Sequence, residues 1–310
     1  MDIVFMGTPQ FAVPVLDALS AMDVSIVAVY TKPDKPQGRG LRVEVSPVKQ
    51  WAVDHGVMVR QPPSFRQEAA VSELASLQPD VAVVAAYGRI LPGQVLAIPP
   101  RGFVNIHPSM LPRYRGPSPV VTALLDGVES TGVSLMMLDE GMDTGPILAQ
   151  REEPVLPHDT AESLTARLFL RGAELLRETL PPWLRGEVSP VPQDHSKATV
   201  TRMVQREDGE ADWNLPAVEL ERRVRAYTPW PGLYTQWKGK QIKILDAIEA
   251  SGNGEPGLVV PLEGTETPCG VATGRGVLGI KRLLLEGKRP VPAAEFVQGY
   301  RDFVGSRVPS

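Results

Sequence analysis

The sequence predicts an α/β protein in two parts: a Rossmann-like doubly wound sheet, followed by a small OB-like β-barrel. Three observations carry this. Short, continuous apolar runs rich in β-branched residues occur at 2–6, 24–30 and 81–86, as strands buried on both faces require. Helical periodicity occurs between these runs. After about residue 205 the pattern changes to closely spaced strand-like runs separated by Gly, Pro and Asn turns.

Taken in order, residues 2–6 form the first strand, which ends at Gly7-Thr8-Pro9. Residues 11–21 place Phe11, Val15, Leu16 and Leu19 at helical spacing. Residues 24–30 are the second strand, 67–77 a helix and 81–86 a third strand. Strands alternating with helices imply right-handed crossovers in one sheet. Later strands fall at 103–106 and 133–138, and an amphipathic helix over 162–180 closes the unit. Pro181, Pro182, Pro190 and Pro192 with polar neighbours read as a linker. The expected division is a first domain over 1–189, a linker over 190–206 and a second domain over 207–310. In the second domain a helix at 215–227 precedes strands at 233–237, 241–250, 257–260, 270–273 and 276–285. A final helix covers 293–303. Trp230, set between two prolines, and Trp237 read as core residues of this domain.

A chain of 310 residues accommodates two such domains. Hydrophobic content of 43% and charged content of 22% are those of an ordinary globular protein. The net charge of -4 offers no global attraction to nucleic acid, so any basic surface must be local. The single cysteine, Cys269, excludes an intramolecular disulfide and a zinc site built on several thiolates. His55, His107, His158 and His195 lack metal-ligand spacing, so no metal is expected. No stretch reaches the ~18–20 apolar residues that span a bilayer, and no membrane partner is expected. The opening Met-Asp-Ile-Val-Phe-Met-Gly has no signal-peptide character, so a cytoplasmic location is expected. The turn Gly7-Thr8-Pro9 lacks the G-x-G-x-x-G fingerprint, which argues against a dinucleotide cofactor.

The chemistry concentrates in two segments. Residues 103–119 read Phe-Val-Asn-Ile-His-Pro-Ser-Met-Leu-Pro-Arg-Tyr-Arg-Gly-Pro-Ser-Pro, and residues 139–145 read Asp-Glu-Gly-Met-Asp-Thr-Gly. Asn105 and His107 follow a strand directly, and ligands of doubly wound sheets sit beyond the carboxyl ends of the strands. Transfer of a one-carbon acyl group to an amine passes through a tetrahedral oxyanion, which needs preorganised donors. The Asn105 amide and a His107 ring nitrogen are such donors. Asp143 takes up the amine's proton, directly or through water, or holds and polarises His107. Each motif alone has a structural reading: Asn-x-His is common, and Asp143 can simply shape a turn.

These segments resemble the folate-dependent formyltransferases, in which Asn-x-His and a later Asp form the catalytic set. The resemblance implies Asn105, His107 and Asp143 as catalytic residues and 10-formyltetrahydrofolate as co-substrate. It places the folate against Ser109, Met110, Leu111 and Pro112, where this chain has methionine in place of the family's leucine. Further stretches narrow the resemblance to the branch whose acceptor is methionine esterified to initiator tRNA. These are Met6–Ala12, the loop Thr31-Lys32-Pro33-Asp34-Lys35-Pro36-Gln37-Gly38-Arg39-Gly40, Ser46–Lys49, and Val224-Arg225-Ala226-Tyr227-Thr228-Pro229-Trp230-Pro231-Gly232. A monomer is expected.

Residues 31–50 carry five cations (Lys32, Lys35, Arg39, Arg42 and Lys49) against Asp34 and Glu44. Charge alone reads this as a solvated loop. The resemblance makes it an arm that follows tRNA phosphates, with Lys35, Arg39 and Arg42 as contacts. Two alternatives share part of the pattern: a formyltransferase for a small amine, such as a nucleotide sugar or purine precursor, and a non-catalytic RNA-binding protein.

Overall fold

A computed structural model describes residues 1–37, 42–264 and 266–309. Backbone packing divides the chain into two compact units. The first comprises Met1–Pro119, Ser130–Pro154 and Thr165–Thr201, and the second comprises Val120–Glu129, Val155–Leu164 and Arg202–Ser310.

The elements begin with β1 (Asp2–Gly7), α1 (Val13–Ser20), β2 (Ser25–Tyr30), the hairpin β3 (Lys35–Gln37) and β4 (Arg42–Glu44), α2 (Pro47–Asp54) and β5 (Val59–Arg60). They continue with α3 (Glu68–Ser76), β6 (Val81–Ala85), α4 (Gly93–Leu96), β7 (Phe103–His107), α5 (Pro119–Asp126), β8 (Ser130–Met137), β9 (Ile147–Pro154) and α6 (Ala161–Leu184). The seven-stranded sheet runs β5-β2-β1-β6-β7-β8-β9. The chain reverses direction across the sheet between β1 and β6, which opens a crevice at their carboxyl ends.

Side chains alternate between two faces, as strand geometry requires. Ile3, Phe5, Val83, Val104 and Ile106 join α1, α2 and α6 in one core. Val4, Met6, Ala82, Val84 and Phe103 join α3 and α4 in another. Each fully buried side chain of this kind contributes about 1.5–3 kcal/mol. Gly172 of α6 brings the helix close to the sheet: a Cβ there would meet Ile106 Cγ2 at 2.6 Å. The helix also runs through Pro181 and Pro182, where the sequence predicts a linker. Leu180 and Trp183 are buried in the core on either side of the prolines, and this tertiary packing outweighs the two missing N–H donors.

The sheet is not parallel throughout. β8 runs antiparallel to both β7 and β9. Val104 pairs with Met137 and His107 with Ser134, so β8 ends level with the start of β7 rather than with His107. The loop carrying Asp143 must therefore fold back toward the edge that carries Asn105 and His107.

The second unit contains α7 (Ala217–Ala226), β10 (Leu233–Trp237), β11 (Lys240–Ala250), β12 (Val259–Pro261), β13 (Cys269–Ala272), β14 (Val277–Leu285), β15 (Val291–Pro292) and α8 (Ala293–Gly299). Its antiparallel sheet runs β10-β11-β14-β13-β12, with β15 on β14. Among the described residues no ladder joins β10 to β12, so the sheet is a curled half-barrel. Register shifts around Asp246 bend β11 across it. Trp237 stands edge-on to Phe296, Tyr300 and Phe303 in the core, and its indole N–H donates to Ser306 Oγ at 3.0 Å. Trp230 departs from the core reading. Tyr227 and Leu233, both buried, fill the core on either side, and the Gly232 N–H closes the turn on the Tyr227 carbonyl at 2.8 Å. The corner leaves the Trp230 indole 57% exposed.

Candidate active site

Odd-numbered residues of β7 share one face, so Asn105 and His107 point the same way as Phe103, toward the α3/α4 side at the strand's carboxyl end. His107 is buried. Its Nε2 lies 3.0 Å from the Tyr114 carbonyl, a contact that requires the proton on Nε2. Its Nδ1 faces Asp143 Oδ1 at 3.6 Å. Among the described residues the Asn105 amide makes no hydrogen bond; it is half-buried and available to a substrate.

Asp143 is held from two sides. Its Oδ2 accepts the Gly116 N–H at 2.8 Å, which leaves Oδ1 turned to His107. Its backbone lies at φ 54, in the left-handed region, as does Tyr114 at φ 59. For non-glycine residues this conformation costs of order 1–3 kcal/mol and persists only where the surroundings fix it. Two features fix it here. At the loop's neck the Met137 N–H donates to the Pro146 carbonyl at 2.8 Å, and Gly145 leaves no room for a Cβ against the Met137 carbonyl. From the other side, Gln193 Nε2 donates to the carbonyls of Asp143 at 2.9 Å and Gly145 at 2.7 Å. Gln193 Oε1 in turn accepts from Arg115 Nε at 3.1 Å and Nη2 at 2.7 Å. Gln193 and Arg115 are both 6% exposed.

The segment expected as a linker therefore helps to build the site. Thr199 Oγ1 accepts the Tyr114 N–H at 2.8 Å, the Arg115 N–H donates to the Thr199 carbonyl at 2.9 Å, and Thr201 N–H donates to the Arg115 carbonyl at 2.7 Å. Residues 114–116 thus touch both His107 and Asp143 while being fixed by residues 193–201. No local sequence signal marks Gln193, Thr199 or Thr201, because their partners lie far along the chain.

Ser109 and Leu111 are buried, and their polar groups are engaged internally. The Ser109 hydroxyl donates to the Arg113 carbonyl at 2.7 Å, and the Leu111 N–H donates to Ser134 Oγ at 3.1 Å. Met110 and Pro112 keep part of their surface exposed. On the α3/α4 side, Tyr30 and Tyr87 are buried with hydroxyls that have no hydrogen-bond partner among the described residues. Burial pushes the Tyr87 phenol up to about 12 and the Tyr30 phenol higher still. Both stay neutral at the crevice.

The basic hairpin rises from this same edge. Lys32 N–H donates to Thr8 Oγ1 at 3.3 Å, and the Lys32 ammonium lies over Gly88, where a Cβ would collide with it. Lys49 pairs with Asp34, and Gln61 donates to Asp34 Oδ1 at 2.8 Å and to the Lys32 carbonyl at 2.8 Å. Lys49 is therefore engaged in bracing the neck. Lys35 and Arg42 lie on the paired strands β3 and β4, where the backbone register pairs position 35 with 44 and 37 with 42. Arg39 lies outside the described residues.

Among the described residues no group of three His, Cys, Asp or Glu side chains is placed to hold a metal ion, and no helix is long and apolar enough to cross a membrane.

A half-buried amide, an imidazole facing a carboxylate and a crevice at the carboxyl edge of a doubly wound sheet are an arrangement suited to acyl transfer on an α/β scaffold. Residues 1–180 match the family described as formyl transferase, and residues 203–301 match its C-terminal domain. The chain belongs to the formyl transferase family. It is 49% identical to the methionyl-tRNA formyltransferase of Roseiflexus sp. (strain RS-1), over 99% of this chain and 95% of that protein. It is 48% identical to the methionyl-tRNA formyltransferase of Chloroflexus aurantiacus (strain ATCC 29366 / DSM 635 / J-10-fl), over 96% of this chain and 97% of that one. The fold is shared with HypX from Aquifex aeolicus in complex with tetrahydrofolic acid. That match has a TM-score of 0.63 at 19% identity, and covers 97% of this chain and 48% of that one.

Proposed function

We propose that the protein transfers the formyl group of 10-formyltetrahydrofolate to the amino group of methionyl initiator tRNA, for translation initiation. The observation that carries the chemistry is the Asn105–His107–Asp143 cluster, with an open amide beside a buried imidazole–carboxylate pair. The acceptor is supported by the full-length likeness to enzymes named for that substrate.

The amine attacks the formyl carbon, a C–N bond forms, and the carbonyl oxygen becomes an oxyanion facing the Asn105 amide and His107 Nδ1. Because the proton on Nε2 is occupied by the Tyr114 carbonyl, His107 donates at Nδ1 only when the ring carries both protons. Asp143 Oδ1 stands 3.6 Å from that nitrogen. The proton lost by the amine passes to Asp143, directly or through water. Collapse of the intermediate breaks the bond to N10, which takes up a proton. An α-amino group titrates near ~8, so a useful fraction is neutral at pH 7 and no covalent nucleophile is required. Cys269 fits that scheme, since it sits in the core of the second unit, where burial pushes its thiol up to about 11.

Residues 109–112 offer the folate the apolar surface of Met110 and Pro112. Lys35, Arg39 and Arg42 follow the tRNA backbone. Residues 1–189 serve as the catalytic domain and 207–310 as the tRNA-binding domain, joined by 190–206, in a cytoplasmic monomer. Substituting Asp143→Asn tests the chemistry. Single-turnover transfer should fall by about 10²–10⁴-fold, the range for a proton-transfer group, with donor binding nearly unchanged. An unaltered rate would remove Asp143 from the mechanism.

A further inference from the structure

Trp230 is 57% exposed, whereas Trp51, Trp183, Trp213 and Trp237 are between 3% and 8% exposed. Its indole lines a cavity of about 310 Å³ in the second unit, with Pro231, Tyr234, Gln241, Arg206 and Lys243. The two charged residues in that lining are both cations, in a chain whose net charge is -4. The walls are held in place. The turn Arg206–Gly209 lies flush on the Trp230 corner, because a Cβ at Gly209 would stand 3.0 Å from Pro231 Cγ and 3.2 Å from Tyr234 Cδ1. Lys243 Nζ donates to the Pro231 carbonyl at 2.9 Å, which fixes the ammonium at the cavity while two of its three N–H bonds point elsewhere.

An accessible aromatic face beside one anchored and one exposed cation suits a nucleotide, with the base stacked on the indole and the phosphate on the ammonium and guanidinium. We propose that this cavity is a subsite for one unpaired nucleotide of an RNA strand, with Trp230 as the stacking platform and Arg206 and Lys243 as the phosphate contacts. The strand's identity as tRNA rests on the acceptor proposed above. The chemistry on the second unit differs from that of the basic hairpin, which offers cations without an aromatic face.

Because the other four tryptophans are buried, tryptophan emission quenched by acrylamide reports chiefly on Trp230. Titrating full-length protein with uncharged initiator tRNA should quench the emission and shield the exposed indole from acrylamide. The shielding should vanish in Trp230→Phe, which keeps a stacking ring and most of the affinity. Trp230→Leu should weaken tRNA binding by about 5- to 150-fold, the range for loss of one base–aromatic stack, with an unchanged melting profile. Full acrylamide access in the tRNA complex, together with wild-type affinity in Trp230→Leu, would overturn the subsite while leaving the proposed function standing. Quenching by a nucleoside monophosphate but not by tRNA would overturn the strand and assign the cavity to a free nucleotide. Failure of the wild-type protein to bind tRNA at all would overturn the acceptor and the subsite together, and formyl transfer to a small amine would identify that case.

Discussion

His107 has both ring nitrogens turned toward oxygen: the Tyr114 carbonyl at 3.0 Å and the Asp143 carboxylate at 3.6 Å. Neither partner is placed by its own strand. Tyr114 and Asp143 both sit in left-handed conformations, and the residue that joins their supports is Gln193. Gln193→Leu removes two donors to the Asp143 loop and leaves the Arg115 guanidinium without its buried acceptor. Loss of a buried hydrogen-bond partner costs about 1–3 kcal/mol of stability. Displacing a catalytic group by ~1 Å costs up to ~10²-fold in rate. The expected result is a lower kcat with KM nearly unchanged. Gln193→Glu keeps an acceptor for Arg115 but turns a carboxylate oxygen toward the Asp143 and Gly145 carbonyls, so it should show the rate defect while the Arg115 guanidinium stays paired. Equal kcat in all three proteins would make Gln193 a purely structural residue. The sequence singled out Asn105, His107 and Asp143 by residue type and by resemblance, and the structure sets His107 and Asp143 3.6 Å apart. Gln193 was not legible there, since its partner Asp143 lies 50 residues away and glutamine in a proline-rich stretch carries no chemical signature.

At the scale of elements, the hairpin β3–β4 depends on its neck. The hydrogen bonds from Lys49 and Gln61 hold the Asp34 carboxyl below the ordinary value of 3.8. A carboxyl lowered in the folded state contributes stability that is present above the unfolded value and lost as pH falls through the folded one. Asp34→Asn should therefore lower the melting temperature at pH 7 by the equivalent of about 1 kcal/mol or less. The gap between variant and wild type should close as pH drops below 3.8, and a gap that persists under acid would contradict this role. Buried strands such as β1, β2 and β6 were legible because both faces are apolar. The antiparallel course of β8 was not, since residue pattern records burial but not direction. Pro181 and Pro182 pointed to a linker, yet Leu180 and Trp183 hold the helix through them.

Across the whole molecule, the two units divide the proposed work: the first assembles donor, oxyanion site and proton acceptor, and the second offers surface to the acceptor. The family's chemistry alone does not require the second unit or the hairpin, because a small amine could reach Asn105 and His107 unaided. What distinguishes the proposed reading is dependence on a nucleic-acid acceptor. The most direct measurement is formyl transfer from 10-formyltetrahydrofolate followed side by side on methionyl initiator tRNA and on a nucleotide-linked amino sugar. The account predicts rapid transfer to the charged tRNA and none above background to the sugar. Equal transfer to both, or transfer to the sugar alone, would contradict it.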